Sequence, residues 1–131
     1  MLQTSETTQN LPTNTMTDAE RVTRVRELND GFRAQETLFC SSLGRVVKTA
    51  GVSSLPWADQ YDIMAKVRKF DAFDNGNDPW REHDFGAFQH KLQKIFWKID
   101  YYDHSLKDGS PDAADPDVTC RILTVMLASE Y

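Results

Sequence analysis

Phe85-Gly86-Ala87-Phe88-Gln89-His90-Lys91-Leu92-Gln93-Lys94-Ile95-Phe96-Trp97-Lys98-Ile99-Asp100-Tyr101-Tyr102 is the stretch on which the fold turns. In its second half Ile95, Trp97, Ile99 and Tyr101 alternate with Phe96, Lys98, Asp100 and Tyr102, a period of two that belongs to a strand with one face in the core. Residues 85–92 and 95–102 therefore read as the two strands of a hairpin turning near residues 91–94, with Ile95, Trp97, Ile99 and Tyr101 on the buried side.

Downstream, residues 104–115 form a loop of Gly, Ser, Pro and Asp. Asp115-Pro116-Asp117 then supplies a cap, a first-turn proline and an acid near a positive helix end. Residues 118–128 are apolar nearly all round, interrupted mainly by Arg121 and Thr124. That composition predicts a central, buried helix; the β-branched Val118, Ile122 and Val125 leave a strand as the second reading.

Upstream, residues 71–81 hold several turn formers and no period. Ser53 or Ser54 is expected to cap a helix with Pro56 in its first turn and Ile63, Met64, Val67 and Phe70 as its buried stripe. Lys66, Arg68 and Lys69 fall in its last turns, where they complement the helix dipole or could hold a phosphate. Residues 45–50 favour a strand ended by Gly51, and residues 35–44 a connection. A first helix runs from a Thr17 or Asp18 cap to about Ala34, with Val22, Val25, Leu28 or Asn29, and Phe32 at helical spacing; Gly31 weakens its last turn by roughly 1 kcal/mol. Residues 1–17, rich in Thr, Asn, Gln and Ser, read as a disordered tail. The expected fold class is α+β: one small domain over residues 18–131, with a short antiparallel or mixed sheet of about three strands packed against about three helices.

A chain of 131 residues, 40% of them apolar, suffices for one packed core. No apolar run of about 18 residues and no basic-then-apolar leader occurs, so neither a membrane span nor a secretory signal is expected and the default compartment is the cytoplasm. Cys40 and Cys120 show no metal-type spacing and read as small buried hydrophobes or idle thiols. The net charge of -5 is unevenly spread: residues 71–86 and 99–117 together carry eleven acids against two bases, leaving nine acids against thirteen bases elsewhere. Should those segments meet, they form a face that repels nucleic acid and attracts cations or basic proteins.

Glu82-His83-Asp84-Phe85-Gly86, Trp97-Lys98-Ile99-Asp100-Tyr101-Tyr102-Asp103, Ser110-Pro111-Asp112 and residues 119–131 resemble the blocks of a bacterial family of small proteins catalogued only as a domain of unknown function. The resemblance spans roughly residues 19–131 and brings no activity with it. It implies a frequent location on plasmids and other mobile elements, hence a role in conflict between element and host. Trp80-Arg81 stands where the family pattern has an aromatic followed by glycine, and Ala113 where it has a second proline, which bears on loop shape rather than on fold.

Two kinds of site follow from the residues. In an extended chain Glu82 and Asp84 would share one side and His83 the other. A metal set would then need His83 joined by Asp100, Asp103 or His104, a mixture suited to a hard or borderline divalent cation. A metal-dependent hydrolase or nuclease on this plan would use His83 as base or ligand, Asp84 to orient it and Asp100 to hold metal-bound water. No HExxH, nucleophile elbow or Gly-rich phosphate loop supports it. The leading expectation is a non-catalytic module without a cofactor. It would dock Asp78, Trp80, Glu82, Asp84, Phe96, Asp100, Tyr102 and Asp103 on a protein with a basic surface, such as a host nucleic-acid-handling complex, in the manner of an anti-CRISPR inhibitor. Direct nucleic-acid binding ranks low beside so many carboxylates. A homodimer closing the Phe96 and Tyr102 face is a further option.

Overall fold

The structure, a computed structural model, describes residues 15–35 and 40–131. Most of the expected tail and the middle of the 35–44 connection lie outside the described residues. Helix α1, Asp18–Arg33, opens on Thr17, whose hydroxyl accepts from the Glu20 N–H while the Glu20 carboxylate accepts from the Thr17 N–H, a reciprocal cap. Strands β1, Cys40–Ser41, and β2, Gly44–Lys48, follow, then a single helical turn, α2, Ala50–Ser53. Helix α3 spans Trp57–Lys69. Pro56 is its N-cap rather than a first-turn residue, and neither Ser53 nor Ser54 caps it.

The hairpin forms as expected. Strand β3, Phe85–His90, pairs antiparallel with β4, Gln93–Tyr102, across the two-residue turn Lys91-Leu92. Lys91 adopts φ 53° there, a left-handed conformation that costs a non-glycine residue roughly 1–2 kcal/mol. Gly86 faces Trp97, and a Cβ at this position would lie 2.6 Å from the indole Cε2. The indole packs against the bare backbone.

The segment expected as a buried helix is instead strand β5, Cys120–Leu127, and it is the middle of the sheet. The cap signal at Asp115 is real: its side chain accepts from the Asp117 N–H. It opens only one 3-10 turn, Pro116–Val118, before the chain extends. Strand β5 pairs parallel with β2 and antiparallel with β4, giving the order β1-β2-β5-β4-β3. Strand β5 is bonded on both edges, and its second face carries the apolar Cys120, Ile122 and Met126 beside Thr124, so its apolar residues run almost continuously and periodicity alone does not separate it from a buried helix. The α+β class stands, with five strands, one of only two residues, rather than about three.

Helices α1, α2 and α3 cover one face of the sheet. There Phe32, Val52, Ile63 and Val67 meet Ile95, Trp97, Ile99, Leu123 and Val125 in one cluster. Burying each such side chain contributes about 1.5–3 kcal/mol. Arg33 lies under this cluster. Its Nη1 donates to the Val67 and Phe70 carbonyls at the end of α3, at 2.8 and 2.9 Å, and its guanidinium sits 4.7 Å from the Trp97 ring. A buried cation thus closes the negative end of α3 and ties it to α1.

No described helix covers the other face. The strand registers place Phe85, Phe96, Lys98, Asp100, Tyr102, Ile122, Thr124, Met126 and Val47 on it; Met126 is buried there, while the others are half-buried or exposed. Tyr131 leans over Phe96 and Phe85, with ring centres at 5.5 and 6.2 Å.

Candidate functional site

Antiparallel pairing brings the end of β4 beside the starts of β3 and β5, so both acid-rich segments gather at one end of the sheet. An isolated bridge from Tyr102 to Gly109 folds the 103–109 loop back on β4. This end holds most of the residues singled out above.

The approach to β3 is not extended. Arg81 and His83 take φ 62° and 57°, so the chain turns twice between Pro79 and Phe85, and the expected split of Glu82 and Asp84 from His83 does not hold. The turns are anchored by Asp78, which is buried and accepts from the His83 N–H at 3.1 Å. The His83 ring stacks flat on Phe73, centre to centre 3.8 Å. Its Nδ1 donates to Asp30 of α1 at 2.9 Å, and its Nε2 lies 3.6 Å from the Asp78 carboxylate. Phe73, Asp78 and His83, together with Arg26 and Arg81, line a cleft of about 230 Å³.

Beside the cleft a polar network runs into the core. The Glu82 carboxylate accepts from the Tyr101 hydroxyl at 2.8 Å. Asn29, fully buried on α1, donates to the Tyr101 oxygen and to the Glu82 carbonyl, at 2.8 and 3.0 Å. Its own carbonyl accepts from Arg121 Nε at 2.7 Å, and Arg121 Nη2 donates to the Ala113 carbonyl at 2.6 Å. Burial pushes the Tyr101 hydroxyl far above its ordinary pKa and draws the Arg121 guanidinium below its own. The network locks the loops at this end onto α1 and β5.

Asp84 is half-buried. Burial, then the nearby Glu82, Asp78 and Asp100 carboxylates, raise its pKa. Asp100 lies on the uncovered face and pairs with Lys98 at 2.7 Å. Asp103 is occupied in its own turn: it accepts from the Ser105 hydroxyl at 2.6 Å, and this bond chiefly holds its carboxyl below the usual range. His104 is exposed, its Nε2 donating to the Asp117 carbonyl at 2.9 Å. The His83, Asp100, Asp103 and His104 set therefore does not converge, and among the described residues no three His, Cys, Asp or Glu side chains form a group able to hold a metal ion. Trp80 is 77% exposed, while Phe96 and Tyr102 are half-buried.

Sequence reasoning missed Asn29, Asp30, Phe73 and Arg121 as builders of this end. Two of them had a signal. Asn29 sits in the apolar stripe of the first helix and Arg121 interrupts an apolar run, and polar residues at buried positions demand each other as partners.

A family model described as "Protein of unknown function (DUF3768)" matches residues 48–130, and the chain belongs to that family. The resemblance noted from the sequence is thereby confirmed as an unknown-function family. Helix α1, with Asn29, Asp30 and Arg33, lies outside the matched residues. No curated protein and no solved structure matches the chain.

Proposed function

We propose that this member of the family is a non-catalytic protein-binding module that docks through the uncovered face of its sheet and the carboxylates beside it. The observation that carries this reading is the uncovered face itself. The half-buried Phe85, Phe96, Tyr102 and Ile122 form an apolar strip with hydroxyl groups at its margin, the composition of an interface; Tyr131 leans over its Phe85 and Phe96 end, and no described helix lies over the rest. Asp84, Asp100 and Asp103 lie at the end of that strip, which suits a partner presenting Lys and Arg. An inhibitor that occupies a basic groove of a host nucleic-acid-handling complex, anti-CRISPR-like in that sense, is its most concrete form.

The hydrolase reading has less support. Both ring nitrogens of His83 are directed at carboxylates, Asp30 and Asp78, and the ring is sandwiched against Phe73, so the imidazole braces the loop rather than facing a substrate.

The test is affinity capture from a bacterial lysate with the wild-type chain and with the double variant Asp100→Lys, Asp103→Lys, circular dichroism verifying the fold of each. Loss of a specific captured protein in the variant supports the reading; unchanged capture removes the support. Metal-stimulated cleavage of a phosphodiester, lost in both His83→Ala and Asp100→Ala, would instead favour the hydrolase.

A further inference from the structure

We propose that the free edge of β3, together with the groove between it and α3, is a second docking site, for an extended peptide that adds to the sheet as a strand and carries apolar side chains flanked by carboxylates. This site lies away from the acidic end and does not rest on the reading above.

Strand β3 is the last strand of the sheet. The Ile99 N–H donates to the Asp84 carbonyl at 2.8 Å, which sets the ladder's phase: Gly86, Phe88 and His90 turn their backbone groups toward β4, and Phe85, Ala87 and Gln89 turn theirs outward. Those outward N–H and C=O groups have no partner among the described residues. They form a template for one more strand.

The groove lies on the helix-covered side of that edge. Ala65, Lys66 and Lys69 of α3 form one wall with Asp62, and Phe70 and Phe88 form a mostly apolar floor enclosing about 440 Å³. Every second side chain of an added strand would point into it. Lys66 is placed by a relay through the buried His90: its Nζ lies 3.1 Å from His90 Nδ1, and His90 Nε2 lies 2.9 Å from Asp59. An ammonium only donates and a carboxylate only accepts, so His90 carries its proton on Nε2 and leaves Nδ1 to accept from Lys66. Asp59 is occupied by His90 and by Lys91 at 2.7 Å, and neither Lys66 nor Lys69 has an ion pair among the described residues. Two unneutralised lysines over an apolar floor, against the single Asp62, select a peptide whose carboxylates stand two positions from its apolar residues, on the same face. Two copies joined β3 to β3 about a two-fold axis would bring four of these lysines to one seam, so charge disfavours a second copy as occupant.

The test uses the isotope-labelled full chain and an acetylated heptapeptide with valine at its centre, glutamate two positions to either side and serine at the positions between, so that the valine and both glutamates share one face; a lysine-for-glutamate peptide is the control. The glutamate peptide is expected to give saturable amide shifts at Ala87 and Gln89, slow exchange of the outward N–H groups, and tighter binding than the lysine peptide. Ala87→Pro removes one outward donor without touching the bonds to β4 and should weaken binding about fivefold. Lys69→Glu should invert the preference between the peptides, and it decides the matter alone if Ala87→Pro fails to fold. No shifts at the edge amides at millimolar peptide, equal binding of both peptides, or self-association through β3 in their place would overturn the proposal.

Discussion

Replacing Asn29 by Ala tests the account of the buried network directly. Asn29 is fully buried and makes three hydrogen bonds: to Tyr101, to the Glu82 carbonyl and from Arg121. Losing the bond to the guanidinium costs about 1.5–3 kcal/mol and each of the others about 1 kcal/mol. The stranded Arg121 keeps only the Ala113 carbonyl and the Tyr101 ring, since its Nη1 already has no partner. The expected loss is about 3–5 kcal/mol, a large share of the roughly 5–15 kcal/mol by which a domain is stable. Urea unfolding followed by tryptophan fluorescence should show the midpoint falling by about 1.5–2.5 M at an unchanged slope of roughly 2 kcal/mol per M. Adding Arg121→Met to Asn29→Ala removes the stranded charge and should recover stability, because an unpaired buried ion costs more than an apolar side chain of similar length. A loss below about 1 kcal/mol for Asn29→Ala, or a double variant weaker than the single, would refute the view that Arg121 depends on Asn29.

Two further outcomes follow from the geometry. Gly86→Ala should destabilise by about 1–3 kcal/mol, since its Cβ would collide with the fully buried Trp97 ring, and thermal or urea unfolding would measure the loss. Asp84 bears on pH: its folded-state pKa is raised by burial and by Glu82, so the folded state holds its proton more tightly than the unfolded chain. The stability this contributes is present below the unfolded carboxyl pKa of about 3.9 and is lost as pH rises through the folded value. Asp84→Asn should therefore melt higher than wild type at pH 7, with the gap closing below about pH 4; a variant that melts lower at pH 7 would show the charge to be held by a favourable partner.

The hairpin was legible because Ile95, Trp97 and Ile99 alternate with Phe96, Lys98 and Asp100, and only one side of β4 meets the helices. The first helix was legible from its stripe and its Thr17 cap. Strand β5 was not: its neighbours β2 and β4 supply partners that the local sequence does not contain, and Cys120, Ile122 and Met126 make its outer side apolar too, so no alternation of polar and apolar side chains is left to detect. The candidate site divides in the same way. Asp78, Glu82, His83 and Asp84 were found from local composition, whereas Asp30 and Phe73, which hold the His83 ring, come from other elements and show no link to it along the chain. The left-handed turns at Arg81 and His83 carry no glycine to announce them. They persist because Asp78 and Asp30 bind what they present.

The position of β5 also governs how the chain can fold. It is the last strand in the sequence, yet it joins β2 to the β3–β4 hairpin, so the two halves of the sheet have no shared ladder until residues 120–127 have been synthesised. Pairing Gly44 with Arg121 closes a long loop, a high-contact-order step that slows folding. Until it happens, β2 and β4 each present an open apolar edge, and the nascent protein is most vulnerable to aggregation just before its central strand arrives.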